Sequence, residues 1–219
     1  MTRGTRKVSA IARQGPTFEV EAHEIACGNG PIAGIDEAGR GPWAGPVVAA
    51  AVILDPSAIP PGLDDSKALN SAKREALYAA ITTSGAKIGI GIANVDRIDR
   101  INILRATLWA MSDAVARLDT APGLAIIDGN QLPQLSCPAR TIIGGDALCL
   151  SIAAASIIAK VTRDRIMHEL AQRHPGFGFE RHKGYGTSQH KAALDELGPC
   201  GEHRRSFAPV RAALGIAPA

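Results

Sequence analysis

A chain of 219 residues with 46% hydrophobic content is long enough to bury one core, and it has no uniform apolar run near the ~20 residues a membrane helix needs. Its formal charge of +3 permits nucleic-acid binding without requiring it, so the placement of basic residues matters more than their number. The four cysteines, Cys27, Cys137, Cys149 and Cys200, form no C-x-x-C pair, which excludes a zinc knuckle or dithiol motif and fits reduced thiols in a cytoplasmic protein.

Residues 1–30, with Arg3, Arg6, Lys7 and Arg13 and no apolar secretory segment, read as a solvated tail that is ordered at most in part. Residues 31–36 and 47–54 are β-type runs joined by the turn-rich Ala38-Gly39-Arg40-Gly41-Pro42-Trp43-Ala44-Gly45-Pro46. A loop over 56–65 precedes a surface helix that starts at Ser71 and stops before Gly85. Residues 86–95 predict a third strand, and Ile103, Leu104, Thr107, Leu108, Met111, Val115 and Leu118 form the stripe of an amphipathic helix. Two more strands are expected at 124–128 and 141–143, then a helix from Asp146 to about Arg173. We expect a single mixed α/β unit over 31–187, with a short helical extension over 188–219 packed on it.

Three acids share a context. The runs Gly34-Ile35-Asp36-Glu37-Ala38-Gly39 and Ala125-Ile126-Ile127-Asp128-Gly129 each end in a carboxylate followed closely by glycine, and Asp146 stands behind Gly144-Gly145. Carboxylates that end buried strands stand at a sheet edge, where several repel one another unless a cation intervenes. Asp36 and Asp128 have few basic neighbours in sequence, so their expected partners are each other and a metal. Glu37 shares that site only if the strand ends or bulges there, because successive side chains point to opposite faces. Asp146 reads equally as the N-cap of the long helix or as a carboxylate at the mouth of a cleft.

The donor set constrains the ion. The six histidines include no H-E-x-x-H or other close zinc pair, so a carboxylate site predicts Mg²⁺ or Mn²⁺. Such a site activates water and neutralises charge on a phosphoryl oxygen, and basic, glycine-rich surroundings make a phosphodiester the expected substrate. Neither a G-x-x-x-x-G-K-[ST] loop nor a G-x-G-x-x-G fingerprint is present, which removes the usual support for P-loop or dinucleotide chemistry.

The segments GIDEAGRGPWAGPVVAAAVIL, DDSKALNSAKRE, INILRAT, IIDGN, GDALCLSIAAASIIAKVTRDR, HKGYGT and HRRSFAPV, in this order over about 33–210, closely resemble bacterial ribonuclease HII. The resemblance implies an RNase H-like fold with a mixed five-stranded sheet flanked by helices. It also implies an endonuclease for RNA–DNA hybrids and for ribonucleotides embedded in duplex DNA, nicking 5′ of the ribonucleotide to leave 3′-hydroxyl and 5′-phosphate ends. Asp36, Glu37, Asp128 and Asp146 match the family's acidic catalytic and metal-binding set. Gly39-Arg40-Gly41 matches its backbone-contacting segment, and Tyr185 the tyrosine that helps recognise a ribose followed by a deoxyribose. The chemistry suits those roles: glycines admit close backbone approach, Arg40 holds a phosphate, and Tyr185 offers a ring and hydroxyl near a 2′-OH.

Ser66 and Lys67 match the family's Asp-Ser-Lys segment and read as phosphate contacts or as a solvated loop. His182-Lys183 and His203-Arg204-Arg205 read as backbone contacts or as solvated charge. Lys160, fourteen positions beyond Asp146 on the same expected helix, lies too far along it to share a metal with that residue. Trp43 departs from the leucine common in the family and is expected to pack, and Ala68 replaces a frequent lysine. The segment before Ala33 is too short for the additional N-terminal domain associated with ribonuclease HIII. A replication-clamp partner and a monomeric state are further expectations. The alternatives are another metal-dependent nuclease on the same fold and an inactive nucleic-acid-binding module.

Overall fold

Residues Val47–Ile53 read Val-Val-Ala-Ala-Ala-Val-Ile, apolar at every position, and a strand buried on both faces is the structure such a run forms. In the computed structural model, which describes residues 15–216, this strand, β2, lies inside a five-stranded sheet. Its neighbours are β1 (Ile32–Ala38) and β3 (Lys87–Ala93), both antiparallel to it. β4 (Leu124–Asp128) runs parallel to β1, and β5 (Ala139–Ile142) parallel to β4, giving the order β3-β2-β1-β4-β5. The mixed five-stranded sheet flanked by helices is thus present. Of the expected tail, Arg3, Arg6, Lys7 and Arg13 lie outside the described residues, while residues 19–26 form helix α1 (Glu19–Ala26).

The pleat of β2 divides the core in two. Ala50 and Val52 face helices α2 (Ser71–Thr83) and α5 (Leu150–Arg173), while Val47, Ala49 and Ala51 face α3 (Val95–Ile101) and α4 (Ile103–Ala116). Because α5 lies between the sheet and α2, its first half is buried nearly all round, and Ala153, Ala154 and Ala155 are among the buried residues. Its approach to β1 is set by Gly34, where a Cβ would collide with the backbone of Ser151 and Ile152. Three short helices follow among the described residues: α6 (Phe179–His182), α7 (Ser188–Leu197) and α8 (Ala208–Ala213). Among the described residues no helix is long and apolar enough to cross a membrane.

Two expectations need correction. The seven-residue helix α3 was not anticipated; it is too short to show a periodic stripe, though Asn94 caps its start and Asn102 caps the start of α4. The long helix does not open at Asp146. Gly144 adopts a left-handed conformation, residues Gly145–Ala147 form a 3₁₀ turn, and α5 begins four residues after Asp146 with Cys149 at its N-cap position. Cys149 offers no capping bond; instead the buried carboxylate of Glu21, on α1, accepts from the Ser151 N–H at 2.8 Å and its hydroxyl at 2.7 Å. An acid on another helix therefore supplies the negative cap.

Candidate active site

The parallel register of β1 and β4 sets the first two acids. Ile35 pairs with Ile127, so Asp36 and Asp128 follow side by side at the carboxyl ends of adjacent strands, the edge where α/β sheets bind ligands. Both continue the pleat of Gly34 and Ile126 toward α5. The 3₁₀ turn brings in Asp146, and one carboxylate oxygen from each of Asp36, Asp128 and Asp146 lies within 4.8 Å of the others. The turn is itself anchored to the cluster by the Gly145 N–H, which donates to Asp128 Oδ1 at 2.8 Å.

Glu37 stands apart from those three. The strand neither ends nor bulges at Asp36, since β1 pairs with β2 through Ala38, so Glu37 is not one of the three converging acids, though its charge is near enough to raise Asp36. Its carboxylate bonds Arg40 Nη1 at 3.1 Å on the wall of the same cleft. The cleft has a volume of about 250 Å³ and is lined by Asp36, Glu37, Gly39, Arg40, Gly41, Ser66, Lys67, Asp128 and Tyr185, together with Lys160 and Arg163. Asp146 reaches it through Lys67, whose ammonium lies 2.9 Å from Asp146 Oδ2. The structure thus gathers every predicted site residue around one opening.

Burial raises the Asp36 carboxyl well above the ordinary range, and the charges of Glu37 and Asp128 raise it further. Burial also raises Glu37, against the pull of Arg40, and raises Asp128, with Asp146 adding to it. Burial pulls the Lys67 ammonium down, but the hydrogen bond and charge of Asp146 outweigh that and hold it above its usual value. Three crowded carboxylates with a lysine standing where positive charge is wanted fit a hard divalent cation: all donors are oxygens, and the charge they concentrate is what such an ion neutralises.

Gly39 has φ +97°, and a Cβ there would strike the side chain of Arg163. The next glycine lies beside Tyr185: a Cβ on Gly41 would stand 3.4 Å from Tyr185 Cε1, and the Tyr185 side of the cleft is open, the residue being 48% exposed. Trp43 packs its indole on Gly186 and lies 5.3 Å from the His190 ring, so it is a packing residue. Ser66 is buried and its N–H donates to Ser156 Oγ, so the loop it ends is fixed rather than solvated.

Sequence reasoning missed two buried arginines that bond the carbonyls of the loop over 39–46. Arg163 falls on the inner stripe of α5 with Ser156, Ala159, Met167 and Leu170, a spacing that does mark it as inward-facing. Arg204, in a run of charges, gave no such signal, yet it is fully buried.

Such a fold and site define a metal-dependent nuclease of the ribonuclease H-like class. The family model of ribonuclease HII matches residues 33–210. The ribonuclease HII of Parvibaculum lavamentivorans is 58% identical over 200 residues, covering 91% of this chain and 74% of that protein. The crystal structure of ribonuclease H2 from Pyrococcus horikoshii OT3 matches with a TM-score of 0.70 at 28% identity, over 83% of this chain and 96% of that one. The ribonuclease HII in the PCNA complex from Archaeoglobus fulgidus matches with a TM-score of 0.68 at 26% identity, over 80% and 94%. The chain belongs to the ribonuclease HII family and is a metal-dependent ribonuclease H endonuclease.

Proposed function

We propose that this endonuclease cuts the RNA strand of RNA–DNA hybrids and nicks duplex DNA on the 5′ side of an embedded ribonucleotide. The observation that carries this reading is the adjacency of the acidic cluster, the Gly39-Arg40-Gly41 turn and the Tyr185 ring along one cleft. Asp36, Asp128 and Asp146 would hold Mn²⁺ or Mg²⁺, with Glu37 completing the acidic set from the cleft wall. Once bound, the ion supplies an activated water and offsets the charge that develops on the scissile phosphate.

The other residues bind and orient. Arg40, with its side chain half exposed, holds a backbone phosphate, and the glycines on either side let that backbone approach the chain closely. Tyr185 lays its ring against the sugar, with its hydroxyl available to a 2′-OH. Lys67, fixed by Asp146, and Lys160, held by Asp164 at 2.7 Å, add positive charge to the lining of the cleft. Hydrolysis joins the water oxygen to phosphorus as the water loses a proton to solvent, and breaks the P–O3′ bond; the leaving 3′-oxygen takes up a proton from solvent, giving 3′-hydroxyl and 5′-phosphate ends.

Residues 31–187 serve as the catalytic unit, and those from 188 onward dock on it as a helical extension. A single chain supplies the whole cleft, which supports action as a monomer. The four cysteines are unpaired, as suits the cytoplasm. Recruitment by a replication clamp has the Archaeoglobus relative as its precedent.

A labelled duplex with one ribonucleotide, incubated with Mn²⁺, Mg²⁺ or EDTA beside an all-DNA control, tests the reading. We expect a metal-dependent nick 5′ of the ribonucleotide, reduced by roughly 10³-fold or more in Asp36→Asn and Asp128→Asn with binding retained. Equal cutting of the all-DNA duplex would replace it with a structure-selective DNA nuclease.

A further inference from the structure

The two recognition segments, residues 39–41 and the Tyr185 turn, are far apart in sequence, and neither is a regular element. Both are tied to one short stretch near the end of the described chain, residues 200–204. The backbone makes the first ties: Gly45 N–H donates to Glu202 O at 2.9 Å, Arg204 N–H to Trp43 O at 2.8 Å, and Trp43 N–H to Gly184 O at 2.8 Å. Side chains then reach each segment separately.

Arg204 fans out beneath the first segment. Its Nη1 donates to Arg40 O at 2.8 Å, its Nη2 to Gly39 O at 2.5 Å, and its Nε to Gly45 O at 3.0 Å. Arg163 reinforces the far side by donating to Pro46 O at 2.9 Å and Ala44 O at 3.2 Å. These bonds all end on backbone carbonyls, so the two buried guanidiniums hold the loop rather than balance acids.

His203 reaches the second segment through His190. The Cys200 N–H can only donate, so His203 Nδ1, 3.0 Å away, accepts and its Nε2 carries the proton. That proton is donated to His190 Nε2 at 3.0 Å, and His190 Nδ1–H donates in turn to the Tyr185 carbonyl at 2.9 Å. A backbone donor at one end and a backbone acceptor at the other admit one direction for the whole chain of bonds, with both rings neutral.

We propose that Arg204 and His203 are positioning residues that fix the gap between residues 39–41 and Tyr185, and thereby set the preference for a ribose-to-deoxyribose junction over continuous RNA. The inference rests on reading those two segments as substrate contacts. The hydrogen bonds of Arg204 end on backbone carbonyls and those of His203 on Cys200 and His190, none of them on Asp36, Asp128 or Asp146, so the three-acid cluster does not depend on them directly.

The test compares kcat/KM on a duplex with one ribonucleotide against an all-RNA hybrid, with Mn²⁺ affinity measured by calorimetry on each folded protein. Arg204→Lys keeps the charge but loses the fan of donors. His203→Asn is too short to reach His190, whereas His203→Gln places an amide N–H where the ring Nε2–H stands. We expect Arg204→Lys and His203→Asn to lower the ratio by roughly tenfold or more, chiefly through KM on the single-ribonucleotide duplex, with Mn²⁺ affinity unchanged. His203→Gln restores most of the ratio. Equal losses on both substrates, or equal behaviour of the two His203 variants, would overturn the positioning role. Tyr185→Ala separates the two levels: if it leaves the ratio intact, the recognition surface itself is wrong and the brace with it. If Tyr185→Ala collapses the ratio while Arg204→Lys and His203→Asn do not, the brace alone is wrong.

Discussion

Without a cation, the Asp36 carboxylate is buried against Glu37 and Asp128, and its carboxyl titrates well above the ordinary range. A carboxyl raised by folding holds its proton more tightly in the native than in the unfolded state, so stability falls as pH rises through the folded value. Asp36→Asn removes that penalty and keeps an oxygen for the Glu37 N–H, which now donates to Asp36 Oδ1 at 2.7 Å. In EDTA, at a pH above the folded pKa of Asp36, we expect the variant to be more stable than the wild type by about 1–3 kcal/mol, a gain that shrinks as pH falls below that value and is gone below the unfolded one. In saturating Mn²⁺ the order reverses, because only the wild type gains full binding energy. Thermal melts at several pH values, with and without the ion, check both statements; a destabilised variant in EDTA would refute the first.

At the scale of elements, the cap that α1 provides for α5 carries a separate prediction. Glu21→Ala leaves the Ser151 N–H and hydroxyl without their buried acceptor and should cost about 1–3 kcal/mol in urea unfolding, with Glu21→Gln less harmful because it keeps an oxygen. A cost below about 0.5 kcal/mol for Glu21→Ala would mean water replaces the cap. This contact also marks the limit of what was legible. The strands, α2, α4 and the body of α5 follow from period and turn residues, and an apolar run closing on an acid with glycine close behind located Asp36 and Asp128. Glu21 sits in a segment read as tail, and nothing local announces a partner on a helix far downstream. Arg204 was hidden for the same reason: a buried arginine bonded only to carbonyls leaves a sequence trace identical to a solvated one.

For the molecule as a whole, a net charge of +3 is small, so its attraction to nucleic acid depends on where the cations lie. Arg40, Lys67 and Lys160 gather at the cleft. We expect Arg40→Ala to weaken binding of hybrid and of ribonucleotide-containing duplex alike, and to reduce the slope of log K against log salt by about one. Fluorescence anisotropy across a salt series checks this; an unchanged slope would place Arg40 away from phosphate. The parallel pairing of β1 with β4 also governs when the enzyme comes into being. Strands β1 to β3 form a meander that can close while the chain is still short, but Asp36 meets Asp128 only after α2, β3, α3 and α4 have been made and β4 has docked beside β1. Non-local parallel pairing is the slow kind. A nascent chain emerging among ribosomal and messenger RNA therefore carries its acids dispersed, and the ability to cut a phosphodiester arrives only with the late, long-range step of its folding.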